Sequence, residues 1–475
     1  MEFFSILANE IEGRIDPFYY KPYFKECVKE LSKTKFRIVE LKDICKKITD
    51  GAHFTPKYVP VGIPFLSVKD IRENKISFIN TKFISAEEHQ DLIKRCNPEP
   101  EDILLTKVGT VGLAAVIPEN SPEFSIFVSV ALLKIDKSKA NPYYISIYLN
   151  SKFTKFQIDR VLKGIGVPDL HLENIAKIKI ILPPFEIQNE IVKLMNKAYE
   201  IKTQKENDAQ LLIDSINDYI LDELGIKLPE LRNKMVYIVN FVEQQNKRID
   251  PYYYQPKFKE FEKAIKKGKY EIKELKEIVD KIESGQRPKG GVRQISEGVP
   301  SLGGEHVLDD GTIATTDLKF IPKEFHEKQL KSKVQKKDII LVKDGATTGK
   351  VGIIPENYLF EEANINEQVF LIRVKNEMNP YFVFSVLKSQ LGQMQINREI
   401  TGGTIMGIVR ETTEAIKIPL PPLAVQNKIA EEVKKRMQKA EQLQKEAKEE
   451  LEKAKQEVEK IILEGKAPAL TEKIE

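Results

Sequence analysis

After Pro422 the apolar residues Val425, Ile429, Val433, Met437, Ala440, Ala447, Leu451, Ala454, Val458 and Ile461 recur mostly at steps of three and four, and Lys, Glu and Gln fill most of the gaps. So narrow a seam on a charged helix of about 40 residues predicts a helix paired with another helix. The stretch after Pro184 carries a matching seam of Ile187, Ile191, Leu194, Ala198, Ile201, Leu212, Ile216 and Tyr219, with a polar interruption at Lys202 to Gln210 that leaves the pairing register open. Each helix alone would gain little from burial, whereas an antiparallel pair would bury both seams. The residues expected to pair are Ile191, Leu194, Ala198, Leu212 and Ile216 on the first helix, and Val433, Met437, Ala440, Ala447, Leu451 and Val458 on the second. At about 1.5 Å per residue such a strut spans roughly 60 Å. Gly225 with Pro229, and Gly465 with Pro468, supply the stops.

Upstream of each helix the period changes. Short apolar runs with strand chemistry, Ile63–Val68, Lys75–Ile79, Asp102–Thr106 and Ala114–Ile117, are separated by Gly, Pro and Asn. An Ile-rich strand, Ile175–Leu182 or Ile416–Leu420, then leads into a Pro-Pro pair. A mixed α/β domain with a substantial antiparallel sheet is expected, and it is expected twice. Arg14-Ile-Asp-Pro-Phe-Tyr-Tyr-Lys-Pro-Tyr-Phe-Lys-Glu26 returns about 234 residues later as Arg248-Ile-Asp-Pro-Tyr-Tyr-Tyr-Gln-Pro-Lys-Phe-Lys-Glu260. Asp102-Ile-Leu-Leu-Thr-Lys-Val-Gly109 faces Asp338-Ile-Ile-Leu-Val-Lys-Asp-Gly345, Asn141-Pro-Tyr-Tyr faces Asn379-Pro-Tyr-Phe, and Leu182-Pro-Pro-Phe-Glu-Ile-Gln-Asn189 faces Leu420-Pro-Pro-Leu-Ala-Val-Gln-Asn427. The fold class is therefore α+β, two homologous mixed α/β domains joined by two long antiparallel helices, with an internal pseudo-twofold repeat. The expected layout is a first domain at 1–183, a long helix at 184–224, a linker at 225–234, a second domain at 235–421, a second long helix at 422–465 and a flexible tail at 466–475.

Composition narrows the class. With 41% hydrophobic residues the 475-residue chain can fill two ordinary cores. No apolar run approaches the roughly 20 residues of a membrane span and the N-terminus lacks a signal-peptide layout, so a soluble, cytoplasmic protein is expected. Cys27, Cys45 and Cys96 show no C-x-x-C spacing and read as reduced structural thiols. A formal charge of +4 among 31% charged residues is only mildly basic, so any nucleic-acid binding must come from local patches.

Several motifs that look like chemistry have structural readings. Asn141-Pro-Tyr-Tyr and Asn379-Pro-Tyr-Phe resemble an amino-methyltransferase loop, but no Gly-rich cofactor loop precedes them, and Asn as helix cap with Pro in the first turn accounts for them. Asp344-Gly-Ala-Thr-Thr-Gly-Lys350 falls one residue short of a phosphate loop and has Val351 where Ser or Thr is needed; with Val108-Gly-Thr-Val-Gly112 it reads as a tight turn between strands. Such turns, with Lys107, Lys343 and Lys350 beside them, could also meet a DNA phosphate. The five histidines, His53, His89, His171, His306 and His326, lack metal-ligand spacing, so neither a metal site nor a catalytic residue is assigned. Asp16 and Asp250 are expected to form an Arg-Asp bridge or a turn cap.

The copies diverge between their shared landmarks. Thr49-Asp-Gly-Ala-His-Phe-Thr-Pro-Lys-Tyr58 stands opposite Glu283-Ser-Gly-Gln-Arg-Pro-Lys-Gly-Gly-Val-Arg293, Ser67-Val-Lys-Asp70 opposite Gly303-Gly-Glu-His306, and Arg160–Gly166 opposite Arg398–Thr404. Two frames alike but with different polar loops are what two different recognition surfaces require. The candidate DNA-binding residues are His53, Thr55, Lys57, Lys69 and Lys107 in the first copy, and Gln286, Arg287, Lys289, Arg293, His306, Lys343 and Lys350 in the second.

In this duplicated order the boxes, loops, turns and helix starts resemble the DNA specificity subunit of type I restriction-modification systems over essentially the whole chain. The resemblance implies two target-recognition domains that each read one half of a split, asymmetric DNA site, with the paired helices setting the gap. It implies a non-catalytic subunit that docks two modification subunits, which carry S-adenosylmethionine and methylate adenine, and recruits restriction subunits that use ATP and Mg to translocate DNA. No cofactor is expected in this chain. The alternatives are a coiled-coil adaptor without DNA and a stand-alone DNA methyltransferase.

Overall fold

The computed structural model describes residues 11, 16–162, 166–230, 232–240, 248, 250–292, 295, 297–403 and 406–465. The chain divides into two compact units: one built on the residues up to Gln204 together with those from Glu446 onward, the other on Lys205–Lys445. Each long helix, Phe185–Leu224 and Leu423–Glu464, therefore contributes one part to each unit.

The apolar runs Asp102–Thr106 and Ala114–Ile117 are buried on both faces because they lie in a sheet with a core on either side. In the first unit the strands β1 (Cys45–Asp50), β2 (Ile103–Thr106), β3 (Ala114–Val116) and β4 (Val130–Ile135) pair antiparallel in the order β1-β4-β2-β3. Alternate residues go to opposite cores: Ile103, Leu105, Ala131 and Leu133 face the helices, while Leu104, Val130 and Leu132 pack with Leu66, Ile71 and Phe124. The second unit repeats this with β5 (Val279–Ser284), β6 (Ile339–Val342), β7 (Val351–Ile353) and β8 (Val369–Val374) in the order β5-β8-β6-β7. There Ile339, Leu341, Phe370 and Ile372 face the helices, and Ile340, Val342, Val369 and Leu371 face the other core. A small three-stranded sheet in each unit has one antiparallel and one parallel pair, so the sheets are not uniformly antiparallel.

The expected strand at Ile175–Leu182 begins later than its apolar content suggests. Leu172–Ala176 is a short helix, and only Lys179–Leu182 is strand, paired with Arg37–Glu40. Lys75–Ile79 likewise shortens to a two-residue strand, Lys75–Ile76.

The polar interruption at Lys202 to Gln210 does not break the first long helix, and Ala209 within it is fully buried. Ile191, Met195 and Ala198 share the core of the first unit with Ala454, Val458, Ile461 and Ile462. Ile216, Ile220 and Leu224 share that of the second with Ile429, Ala430 and Val433. In the second unit Glu223 pairs with Lys428 at 2.7 Å and Ser215 accepts from Arg436 at 2.8 Å, a descending match to ascending numbers that makes the segments antiparallel. Of the expected pairing residues, Ala440 and Ala447 are buried, Leu194, Met437 and Leu451 are half-buried against the cores, and Leu212 is half-buried. The first helix ends in a Schellman cap. Gly225 takes φ +64, its N–H donates to Asp222 O, and Ile226 N–H donates to Leu221 O at 2.9 Å.

The Arg-Ile-Asp-Pro boxes are structural. Asp16 and Asp250 cap the turns Pro17–Tyr20 and Pro251–Tyr254, accepting from Tyr19 N and Tyr253 N, and Arg248 bridges to Asp250 at 2.7 Å. Arg14 lies outside the described residues. Arg160 and Arg398 then lock the boxes, donating to Tyr19 O and Tyr253 O while stacking 3.8 and 4.3 Å from those tyrosine rings. Asn141 and Asn379 cap the helices Pro142–Leu149 and Pro380–Lys388.

Candidate nucleic-acid interface

Each candidate site starts where the first strand of the main sheet ends. Gly51, after β1, and Gly285, after β5, pass so close to a neighbouring strand that a Cβ would sit 1.9 Å from Ile126 O or Ile365 O. The loop that follows leaves the sheet at the surface. In the first unit it exposes His53, Phe54, Thr55 and Lys57, and Tyr58 lies beneath the Lys82 ammonium, 4.0 Å from its ring centre.

Beneath this loop sits Asp50, almost wholly buried at 3% exposure. Its Oδ1 accepts from Arg95 Nη2 at 2.6 Å and lies 3.0 Å from His53 Nε2, while its Oδ2 faces Lys107 Nζ at 3.6 Å. Lys107 is itself buried at 5% exposure, with Asp169 3.5 Å away on its other side. Arg95 also donates to Gly51 O. The candidates His53 and Lys107 thus converge on one carboxylate. Burial gives Lys107 an internal role as counter-ion to Asp50 and Asp169, which corrects its assignment as a surface phosphate contact. Lys69 is exposed on the short turn that Asp70 caps by accepting from Ser67 N at 2.7 Å.

The second unit fills the same frame differently. Ser284 stands where the first copy has Asp50. Gln286 accepts from Gln329 Nε2 at 2.9 Å, and Arg287 is ion-paired with Glu367. Lys289 is exposed beside Gly290 and Gly291, both at positive φ, and Arg293 lies outside the described residues. His306 is 2% exposed, and its Nδ1 accepts from Gly303 N at 2.8 Å. It caps the turn that Asp70 caps in the first copy, so it is a buried loop-forming residue and not a surface reader. Burial holds its pKa below the ordinary histidine value. Lys343 is half-buried and ion-paired with Asp344, and Lys350 is bridged to Asp309 at 2.6 Å.

The lysine-glycine turns dock a further loop. Gly109 N–H donates to Pro168 O and Gly345 N–H donates to Met406 O, each at 2.9 Å, with φ of +81 and +105 at the two glycines. Segments 166–170 and 401–403 with 406–408, close to or within stretches where the copies differ, are thereby held against the lysine-glycine turns.

Sequence reasoning did not single out Asp50, Arg95, Asp169, Gln329 or Glu367. Asp50 had a signal, as a carboxylate directly before a cationic loop. Arg95 had none, since its partner lies 45 positions away in sequence. A second pair also escaped notice: His89 and His326 are both buried, with Nδ1 on Ser125 Oγ at 2.9 Å in one copy and on Asn364 Oδ1 in the other. Cys96 is buried, and burial pushes its thiol and that of Cys45 up to about 12. Among the described residues no group of three or more His, Cys, Asp or Glu could hold a metal ion, and no helix is long and apolar enough to cross a membrane.

Comparison with known proteins finds the same duplication in the sequence. The profile described as the type I restriction modification DNA specificity domain matches twice, at residues 33–212 and 267–453. A protein provisionally named as the MjaX specificity subunit of a type I restriction enzyme, from Methanocaldococcus jannaschii, is 26% identical over 88% of this chain and 90% of its own length. The MjaVIII specificity subunit of the same organism is 26% identical over 80% of this chain and 83% of its own. A chain solved in work on assembly and conformational transition of the type I R-M system has 15% identity and a TM-score of 0.48, covering 90% of this chain and 97% of that one. With the profile matched in both halves, the chain belongs to the type I restriction-modification DNA specificity family, as one of its targeting, non-catalytic subunits.

Proposed function

We propose that the two units read the two halves of one split, asymmetric DNA site, and that the long helices fix the gap between the halves. The observation that carries this is the unequal chemistry on an equal frame: the loop after Gly51 is served by Asp50, His53 and Arg95, and the loop after Gly285 by Gln286, Gln329, Arg287 and Glu367. Two identical readers would specify a palindrome; two different ones specify an asymmetric site. Exposed His53, Thr55, Lys57, Lys69, Gln286, Arg287 and Lys289 are the groups proposed to meet DNA, with the half-buried Lys343 and Lys350 beside them.

In this reading the chain works in the cytoplasm as the recognition part of a larger complex. Two modification subunits supply S-adenosylmethionine and methylate adenine, and restriction subunits supply ATP- and Mg-dependent translocation and cleavage. The chain's own residues bind and orient the DNA.

The test is methylation sequencing of DNA from cells that co-express this chain with its modification subunit. Methyladenine at a single asymmetric split motif is the expected result. A folded, partner-bound complex that marks no motif, and whose DNA affinity does not fall steeply with salt, would leave a protein adaptor as the better account.

A further inference from the structure

We propose that Arg95 is a guanine-reading residue of the first half-site and that Asp50 is its positioning residue; this rests on the reading of the chain as a two-part DNA reader.

Asp50 is more than nine-tenths buried, and the exposed Asp169 shares its neighbour Lys107. Lys107 alone would supply a counter-charge. Two further groups are nevertheless held on the carboxylate, and both remain at the surface: the side chains of Arg95 and His53 are 55% and 57% exposed. Arg95 Nη2 is fixed on Asp50 Oδ1 at 2.6 Å and Nη1 on Gly51 O at 3.4 Å, with His53 Nε2 3.1 Å from Nη2. A guanidinium has five N–H donors in a rigid plane, so the bonds to Asp50 and Gly51 O leave three, one of them beside His53 Nε2. An arginine held this way has already given up rotamer freedom before DNA arrives, which is what a sequence reader needs and a diffuse phosphate contact does not. The planar fork matches the O6 and N7 acceptors of guanine.

The second copy supplies the internal comparison. There too the segment after the histidine-bearing helix meets the first Gly loop, but through Gln329 Nε2 on Gln286 Oε1. Asp50 has become Ser284, and the segment Gln329–Lys333 contains no arginine. The Arg95–Asp50 pair is missing as a unit: the Gln329–Gln286 amide pair stands at the junction, and the arginine–carboxylate pair of this copy, Arg287–Glu367, is placed within the loop instead. A bond required by the shared fold would be present in both copies. One that changes as a unit at a surface junction, while the strand order of the main sheet stays the same, is free to set specificity.

The experiment compares the wild-type complex of this chain and its modification subunit with complexes carrying Arg95→Gln, Arg95→Lys or Asp50→Asn. The readouts are the methylated motif in cells and affinity for the cognate site and random DNA at one salt concentration. With Arg95→Gln, one guanine of the first half-site is expected to become degenerate, its preference falling about 5- to 150-fold, with the second half-site unchanged. Arg95→Lys keeps the charge but not the fork, and should degenerate at the same position. Asp50→Asn should do so partially, at unchanged affinity for random DNA. An intact motif in Arg95→Gln, or equal loss on cognate and random DNA, overturns the proposal. If Asp50→Asn does not fold, the Arg95 variants decide, since that side chain is half exposed. A wild-type complex without sequence preference would instead refute the two-part reading itself.

Discussion

The backbone N–H of Asn141 donates to Gln188 Oε1 at 2.8 Å, and 238 positions later the N–H of Asn379 donates to Gln426 Oε1 at 3.1 Å. Each asparagine side chain also donates to the next residue of the long helix, Asn189 or Asn427, at 2.8 Å, and each glutamine amide returns a bond to Pro183 O or Pro421 O. Two motifs far apart in sequence, Asn-Pro-Tyr and Leu-Pro-Pro-x-x-x-Gln-Asn, are therefore two sides of one joint. The joint fastens each domain to the start of the helix that follows it.

Gln188→Ala should cost about 1–3 kcal/mol, because a buried N–H and a buried carbonyl lose their partners together. The loss should appear as faster hydrogen exchange in the first unit, with the second unaffected. Gln426→Ala should do the reverse. Equal effects on both units from either substitution would show that the joint is not local.

His306 should make the second unit sensitive to acid. Its folded pKa lies below the unfolded value of about 6.5, so its contribution is fully present above that value and is lost as pH falls through 6.5 toward the folded pKa. His306→Asp, which copies the cap that Asp70 provides, should remove this contribution to acid sensitivity and keep the turn. His306→Ala should cost about 0.5–2 kcal/mol as a lost cap. Thermal melts of the three proteins between pH 5 and 8 would check both statements.

Glu73 ties the first domain to both long helices. It accepts from Tyr199 Oη at 3.0 Å and pairs with Lys455 at 2.7 Å, and burial is the main reason the Tyr199 hydroxyl titrates well above the usual tyrosine range. Glu73→Ala should weaken this contact by about 1–2 kcal/mol. Exchange should quicken in residues 195–204 and 446–464, and stay at wild-type rates in 205–224 and 423–445.

These contacts mark what was legible in the chain beforehand. The repeat, the helix seams, the glycine stops and the role of Asn141 as a cap all depend on residues close in sequence, and the spacing of side chains along a helix or strand exposes them. Arg95 and Gln329 were not legible, because the contacts that define them join segments more than 40 positions apart. Lys107 and His306 were misplaced for a related reason. A polar residue in a loop reads as exposed, yet Lys107 lies buried beside two carboxylates and His306 lies buried with its Nδ1 on the N–H of Gly303.

The glycines after the first strand of each main sheet and in the lysine-glycine turn allow a last test, which separates space from backbone conformation. At Gly51 and Gly285 φ is not positive, and the obstacle is the carbonyl 1.9 Å from any Cβ. That backbone can only move away by loosening the bridge of Ala52 to Phe127, so Gly51→Ala should cost at least about 1–3 kcal/mol, as overpacking does. At Gly109 nothing lies within 4 Å of a Cβ and the obstacle is φ +81, so Gly109→Ala should cost about 1–2 kcal/mol and Gly109→Asn less. The functional outcomes should differ as well. Gly51→Ala displaces the loop that follows Asp50 and should blur the first half-site alone, while Gly285→Ala should blur the second alone. Gly109→Asn should leave both motifs readable. If Gly51→Ala left the first half-site intact in a folded complex, the loop from His53 to Tyr58 would not be part of the reading surface.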